Sequence, residues 1–453
     1  MTFTGGAVQS EGERARRLPR TTPVTAPSAA SVRRIAARGR GPAGALVAPF
    51  VQAISSLVLQ VIAVRELGAE GFGVYALLYS GVLMAMALSN GLVGDSLTVL
   101  DRADPPLRGA MSLVALVSTG AVAIVGMIVA GVTGIVSFPL AALFAAALAA
   151  FLAENLLRRV LMSVLMFWRL VAMDAMVFVG MLVVLGGSYL ATGGDLGMGH
   201  ILGSLLAGQL TGIAAGLALI PPTERWLGER SREVGPIVRY GSWRASQQAV
   251  RPSALTVIRI IVVVSVGTAV FGELEAARVY TAPAMLLVNG AASYFLASFS
   301  SRPGKLTTEL RHRADIGAAL LALALVGFGA VIVVALPIAG GIVAGQDFDL
   351  DAVAVAGWVA YAAGCALIMP YASLASVRGG HARMVGMRLV EAAGSAVAVA
   401  LVLQLDVGVS WVPLAVAVSP LALVPVIRRQ ALTSTRPGPE PKATSTASTA
   451  GTP

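Results

Sequence analysis

Apolar runs of about 20 residues, each long enough to cross a bilayer as a helix, follow one another from Ala43 to Ile427. Of the 453 residues, 57% are hydrophobic and 12% charged, against about 25% charged in a soluble domain. That leaves too little polar surface to face water, so the runs read as membrane helices. The formal net charge of +10 would suggest nucleic acid in a soluble protein. Here the arginines stand at the ends of apolar runs and in the tails, where they orient a chain in a membrane and meet anionic lipid. Nucleic acid is therefore excluded as a partner, and anionic membrane lipids are expected as one. Cys365 is alone, which excludes a disulfide or a cysteine-based metal site within the chain.

We read twelve spans, at about 43–64, 71–94, 111–135, 138–157, 170–191, 199–221, 241–265, 274–298, 314–337, 352–376, 382–404 and 409–428. Arg33, Arg34, Arg38 and Arg40 precede the first and place the N-terminus in the cytoplasm. The inner connections then carry Arg158, Arg159 and Arg169, Arg225 to Arg239, Arg302 to Arg313, and Arg378 to Arg388, with Arg428 and Arg429 after the last span. The outer ones carry Glu66, Glu70, Asp195, Glu273, Glu275 and Asp347 to Asp351, with Arg65 and Arg278 as exceptions. The second inner loop, with Asp95, Asp101 and Asp104, is not basic and breaks the pattern. Residues 1–42 form a basic tail and 430–453 a Ser/Thr/Pro/Gly tail, both expected to be disordered and cytoplasmic. Arg16-Arg17 is not an export signal, because the apolar segment begins too late and no small-residue cleavage site follows. The expected organisation is a lobe of six helices at 43–221, a cytoplasmic linker at 222–240 and a second six-helix lobe at 241–429. Abundant Ala and Arg, with lysine only at Lys305 and Lys442, hint at a GC-rich bacterial genome and a bacterial cytoplasmic membrane.

The two lobes carry a repeat. Leu67-Gly68-Ala69-Glu70-Gly71-Phe72-Gly73-Val74-Tyr75 runs into an apolar helix ending at Asn90-Gly91. Val266-Gly267-Thr268-Ala269-Val270-Phe271-Gly272 runs into another ending at Asn289-Gly290. Gly68 and Gly267, Phe72 and Phe271, Gly73 and Gly272, Ala85-Met86 and Ala284-Met285, and Asn90 and Asn289 all stand 199 apart (267 − 68). Six spans per half is an even number, so both halves enter the membrane the same way round, as parallel repeats. The fold class is thus an all-α integral membrane protein of about twelve transmembrane helices in two parallel six-helix lobes. Gly208-x-x-x-Gly212-x-x-x-Gly216 aligns small residues on one face of span six, as a packing seam.

Chemistry has few footholds. His200, His312 and His381 lie at loops or helix ends, there is no P-loop, and Asp347-x-Asp349-x-Asp351 lacks the glycine of a calcium loop. No catalytic residue, metal or cofactor is expected. Span seven is the informative one: Arg244, Gln248, Arg251 and Arg259 keep to an arc about 80° wide at 100° per residue. An arginine in mid-membrane costs at least about 2.5–3.5 kcal/mol on insertion scales, so it should face a partner or a wet cavity. Subtracting 199 sets Arg251 and Arg259 against Gln52 and Gln60 of span one. Four such positions facing a common axis would form an anion-accepting cavity; the competing reading is that Arg251 and Arg259 snorkel to the two interfaces or pair with buried acids. Asn90 and Asn289 close the repeat helices as caps or cargo contacts, and Arg278 pairs with Glu275 or meets a ligand. Glu154 is expected to pair with Arg158, whereas Asp174 has no local partner and is the candidate for proton coupling. Pro49 and Pro283 are expected to bend spans one and eight.

The run Leu67 to Tyr75, with Asn90-Gly91 ending span two, resembles the polysaccharide-transporter (O-antigen-type) flippases of the MATE-like (MOP) superfamily. The resemblance implies two six-helix lobes around a central cavity lined by spans one, two, seven and eight. It also implies alternating-access movement of polyprenyl-diphosphate-linked oligosaccharides from the inner to the outer leaflet. The partners it implies are that lipid-linked glycan and other polysaccharide-assembly membrane proteins. The second half departs from the family, with Ile258-Arg259 where Asp-Arg is usual and Gly272-Glu273-Leu274 where Gly-x-Tyr is usual. A multidrug antiporter of the same fold would instead want acids facing the cavity; a membrane glycosyltransferase would need an essential outer acid or metal.

Overall fold

The computed structural model describes residues 41–95, 105–222, 234–285, 288, 291, 295, 298–299, 307–343, 348, 351–377 and 381–433. Asn289, Asp347, Asp349 and most of both expected tails and of the linker lie outside them. Among the described residues the regular structure is all helical. In chain order it comprises α1 (Gly41–Ser89), a π turn (Asn90–Gly94), α2 (Pro105–Val132), α3 (Phe138–Ser163), α4 (Phe167–Thr192) and α5 (Met198–Leu219). The second half holds α6 (Gly235–Val266), α7 (Thr268–Val279), α8 (Thr307–Val343), α9 (Ala352–Val377), α10 (His381–Gln404), a 3-10 turn (Val409–Trp411) and α11 (Val412–Thr433). Ten of the described helices are long and apolar enough to cross a membrane, so the chain is a multi-pass membrane protein. Spans one and two are one bent rod, α1, and of the eighth expected span the described residues include α7 and, after a turn at Tyr280 and Thr281, helical residues 282–285. α6 starts at Gly235, so the last part of the expected linker is already helical.

The bend in α1 comes from Gly68, whose φ of 65° and ψ of −179° suit only a residue without a side chain. It is the one non-helical position inside α1, which holds Pro49 within its helical length. Gly267 stands 199 residues on between α6 and α7 and has φ 87° and ψ 169°. Both repeats therefore break their helix at the same place, in the same way. Just beyond each break the repeats meet. A Cβ on Gly73 would overlap the Thr268 carbonyl oxygen, and one on Gly272 would overlap the Ala69 carbonyl oxygen. Thr268 and Ala69 are again 199 apart, so the contact is reciprocal, like that at a two-fold axis.

Each half has an apolar core that is mostly its own. Phe72, Tyr75, Phe144 and Phe151 anchor one cluster, which also takes in Ala276, Val279 and Phe348 of the second half, and Met111, Leu161 and Met173 anchor a second, mostly of the first half. Trp358, Tyr361, Phe299 and Leu325 belong to a third, built from the second half with Ala76 as its contribution from the first. In the first half, Gly208 and Gly216 let α5 approach closely. Cβ atoms there would lie 2.8 Å from the Val177 oxygen and 2.7 Å from the Met173 sulfur of α4. The small-residue stripe is thus a helix-packing seam, as its spacing predicts.

Candidate functional site

The first lobe holds a closed polar network. Arg158 of α3 donates to both carboxylate oxygens of Asp174 of α4, at 2.8 and 3.0 Å, and to the Gln52 oxygen of α1 at 2.6 Å. Glu154 lies 3.8 Å from the same guanidinium. Arg158 is therefore not in a loop, as its place in the charge pattern suggested. α3 continues to Ser163 and carries it inside the lobe, 8% exposed. Asp174 likewise has the partner that local sequence could not supply. Losing one member of a buried pair leaves a charge stranded, at a cost of about 3–5 kcal/mol. Arg158→Met is thus expected to lower thermal stability in detergent by about that much, with Arg158→Met/Asp174→Leu recovering most of the loss. Unfolding midpoints of the three proteins check this. Beside the network, the Asn90 oxygen accepts from Asn155 at 2.7 Å and from Arg159 at 3.0 Å, so Asn90 ties the π turn to α3.

The π turn also carries the contact between lobes at the arginine-rich end. Asp95 accepts from Arg244 at 2.7 Å and from Gln248 at 2.8 Å, both on α6. This explains the acid in an otherwise basic set of loops: it is the counter-charge of the other lobe. Backbones meet closely here too. A Cβ on Gly91 would overlap the Ala245 backbone, and one on Gly241 the Leu92 oxygen. The seam is therefore closed at both ends in this conformation, by Gly73 and Gly272 at one and by Gly91 and Gly241 at the other.

Between these ends lies a second charged group. Arg259 of α6 donates to Glu275 of α7 at 2.8 Å, and Arg278 donates to the same carboxylate at 2.5 Å. Glu275 is 1% exposed, yet the Arg278 side chain keeps 27% of its surface open. Two guanidiniums on one carboxylate leave the group one positive charge in excess. Tyr79 and Tyr361, one from each lobe, are electrostatic neighbours of Arg278. Tyr79 shares a 2.8 Å hydrogen bond with Ser56, whose oxygens accept from Gln60 at 3.0 and 3.2 Å. Arg251 is elsewhere, donating to the Tyr361 hydroxyl at 3.1 and 2.8 Å and to the Cys365 sulfur of α9. Its guanidinium carbon is 5.4 Å from the Tyr361 ring centre.

The four residues expected to share one cavity are thus distributed. Gln52 belongs to the Arg158 network, Gln60 to Ser56, Arg259 to Glu275 and Arg251 to Tyr361. Helical phase alone put them on one arc; the acid that claims Arg259 comes from the next helix, 16 residues on. Arg278 does pair with Glu275, and part of its side chain stays exposed. Sequence reading missed Tyr79 and Tyr361. Tyr79 had a signal, since it stands 199 residues before Arg278.

The chain matches no protein-family model and no curated protein. It does match solved structures. One is a MOP superfamily transporter from Pyrococcus furiosus, described as having a reversed binding-pocket polarity that suggests a different function. The identity is 15%, the TM-score 0.62, and the match covers 86% of this chain and 94% of that one. An outward-facing multidrug resistance MATE family transporter gives 14% identity and a TM-score of 0.61, over 86% and 94%. MATE in its bent conformation gives 15% and 0.60, over 86% and 93%. The fold is that of MATE-type transporters of the MOP superfamily.

Proposed function

We propose that the chain is a flippase of a bacterial cytoplasmic membrane. It moves a polyprenyl-diphosphate-linked oligosaccharide from the inner to the outer leaflet by alternating access, for cell-surface polysaccharide assembly, and changes no covalent bond. The observation that carries this reading is the sign of the charge at the seam. Arg259 and Arg278 share Glu275, so the described group between the lobes is cationic. The buried acids Glu154, Asp174 and Glu391 and the half-buried Asp315 each sit beside an arginine. Glu154 and Asp174 have Arg158, Asp315 has Arg428, and Glu391 has Arg388. A cation antiporter needs a carboxylate to spare for its drug; a diphosphate needs fixed donors, and guanidinium suits phosphate oxygens two at a time. Twelve spans, cytoplasmic termini and partners in polysaccharide assembly belong to the same proposal.

Native mass spectrometry of the purified protein tests it. Wild type is expected to retain polyprenyl-diphosphate species, and Arg278→Ala to lose them at least about tenfold, the worth of one charge-assisted hydrogen bond of about 1.5–3 kcal/mol. Retention of organic cations in place of such lipids, unaffected by Arg278→Ala, would move the reading to multidrug antiport.

A further inference from the structure

A cavity of about 20 Å³, room for about one water-sized guest, lies in the second lobe among Arg251, Tyr361, Arg388, Glu391, Ser395 and Val416. Its charges do not cancel. Glu391 accepts from Arg388 at 2.9 Å, so that pair is neutral as a unit. Arg251 spends its hydrogen bonds on the neutral Tyr361 hydroxyl and Cys365 sulfur. One positive charge is left over in the lobe interior, on a helix that crosses the membrane.

Of the polar groups that line the cavity, Arg251, Arg388 and Tyr361 can donate into it, and Glu391 and Ser395 cannot. The Tyr361 oxygen accepts from Arg251, which leaves its own O–H to donate. Ser395 gives its hydrogen to the Val416 carbonyl at 3.0 Å. Two guanidiniums and a phenol thus supply donors to the same space. That space is far below small-molecule pockets of about 300–1,000 Å³ and holds about one water-sized guest, so a lipid-linked sugar does not fit there. We infer that this cavity is a binding site for one small monovalent anion, held by Arg251, Arg388 and Tyr361. The inference stands apart from the cargo reading, since its effect is read with no lipid-linked sugar present.

The full-length protein in detergent tests this, with sodium gluconate exchanged for sodium chloride or sodium acetate at constant ionic strength. The unfolding midpoint is expected to rise saturably with chloride and not with acetate, which is too large for the space. The rise should be unchanged when choline replaces sodium. Arg251→Gln is expected to weaken the anion's apparent affinity at least about tenfold. Glu391→Gln separates the site from simple salt effects: removing the carboxylate raises the cavity charge, so anion affinity should increase. This arm holds even if Arg251→Gln fails to fold. Absence of a saturable anion effect in wild type would overturn the site. A rise that follows sodium, or a weaker anion effect in Glu391→Gln, would overturn it equally.

Discussion

Leucine in place of Gly272 is expected to cut transport at least about 100-fold while leaving the protein folded, because it removes one of two states that must both be populated. A Cβ at Gly272 already overlaps the Ala69 carbonyl oxygen, and backbone at that point has no rotamer with which to yield. The contact lies between lobes whose apolar clusters are mostly their own, crossing only through a few residues such as Ala76, Ala276 and Val279, so the lobes persist while their closed arrangement here does not. Gly91→Leu is the mirror experiment, since its side chain would overlap the Ala245 backbone at the other end of the seam. Flipping in vesicles measures the loss, and labelling of single cysteines placed at each end reads which side is held open. The native Cys365 is 2% exposed and adds little background. The two variants should open opposite ends. Wild-type transport by Gly272→Leu would mean that the lobes do not close through this contact.

What the sequence reveals of this molecule divides by the range of the interaction involved. Membrane helices are legible because span length is set by the bilayer and each span is local. The breaks at Gly68 and Gly267 are legible because a repeat writes the same backbone demand twice, 199 residues apart. That α1 stays one rod through its bend was not legible, since glycine in such a place serves a loop equally well. The charged groups are harder. Arg158 looked like a loop arginine because its partners, Gln52 and Asp174, come from two other helices. Arg259 looked like a cavity residue because helical phase says where a side chain points but not which acid meets it. Asp95 broke the charge pattern for a reason that lies 149 residues away, in Arg244. In each case the sequence shows a charge that needs an explanation, and only the packing of other helices supplies it.

Membrane potential gives the proposed transport its largest expected effect. A diphosphate carries about two negative charges, and each gains about 2.3 kcal/mol per 100 mV in moving outward from an inside-negative compartment. At 100 mV this is about 4.6 kcal/mol, or roughly a thousandfold shift of the lipid toward the outer leaflet, with no nucleotide hydrolysed. The protein's own charges bear on how much of that is realised. The Arg259–Glu275–Arg278 group has one charge in excess, fixed on helices α6 and α7. If those helices tilt without crossing the membrane, the cargo's charge moves alone and the full dependence appears. Vesicles holding wild-type protein and a labelled polyprenyl-diphosphate oligosaccharide, with the potential set by a potassium gradient and valinomycin, measure the leaflet ratio. A slope of two charges is the expected result. A slope of one would mean that one cation travels with the cargo, and a flat response would mean that the diphosphate leaves fully neutralised and that potential does not drive the flippase.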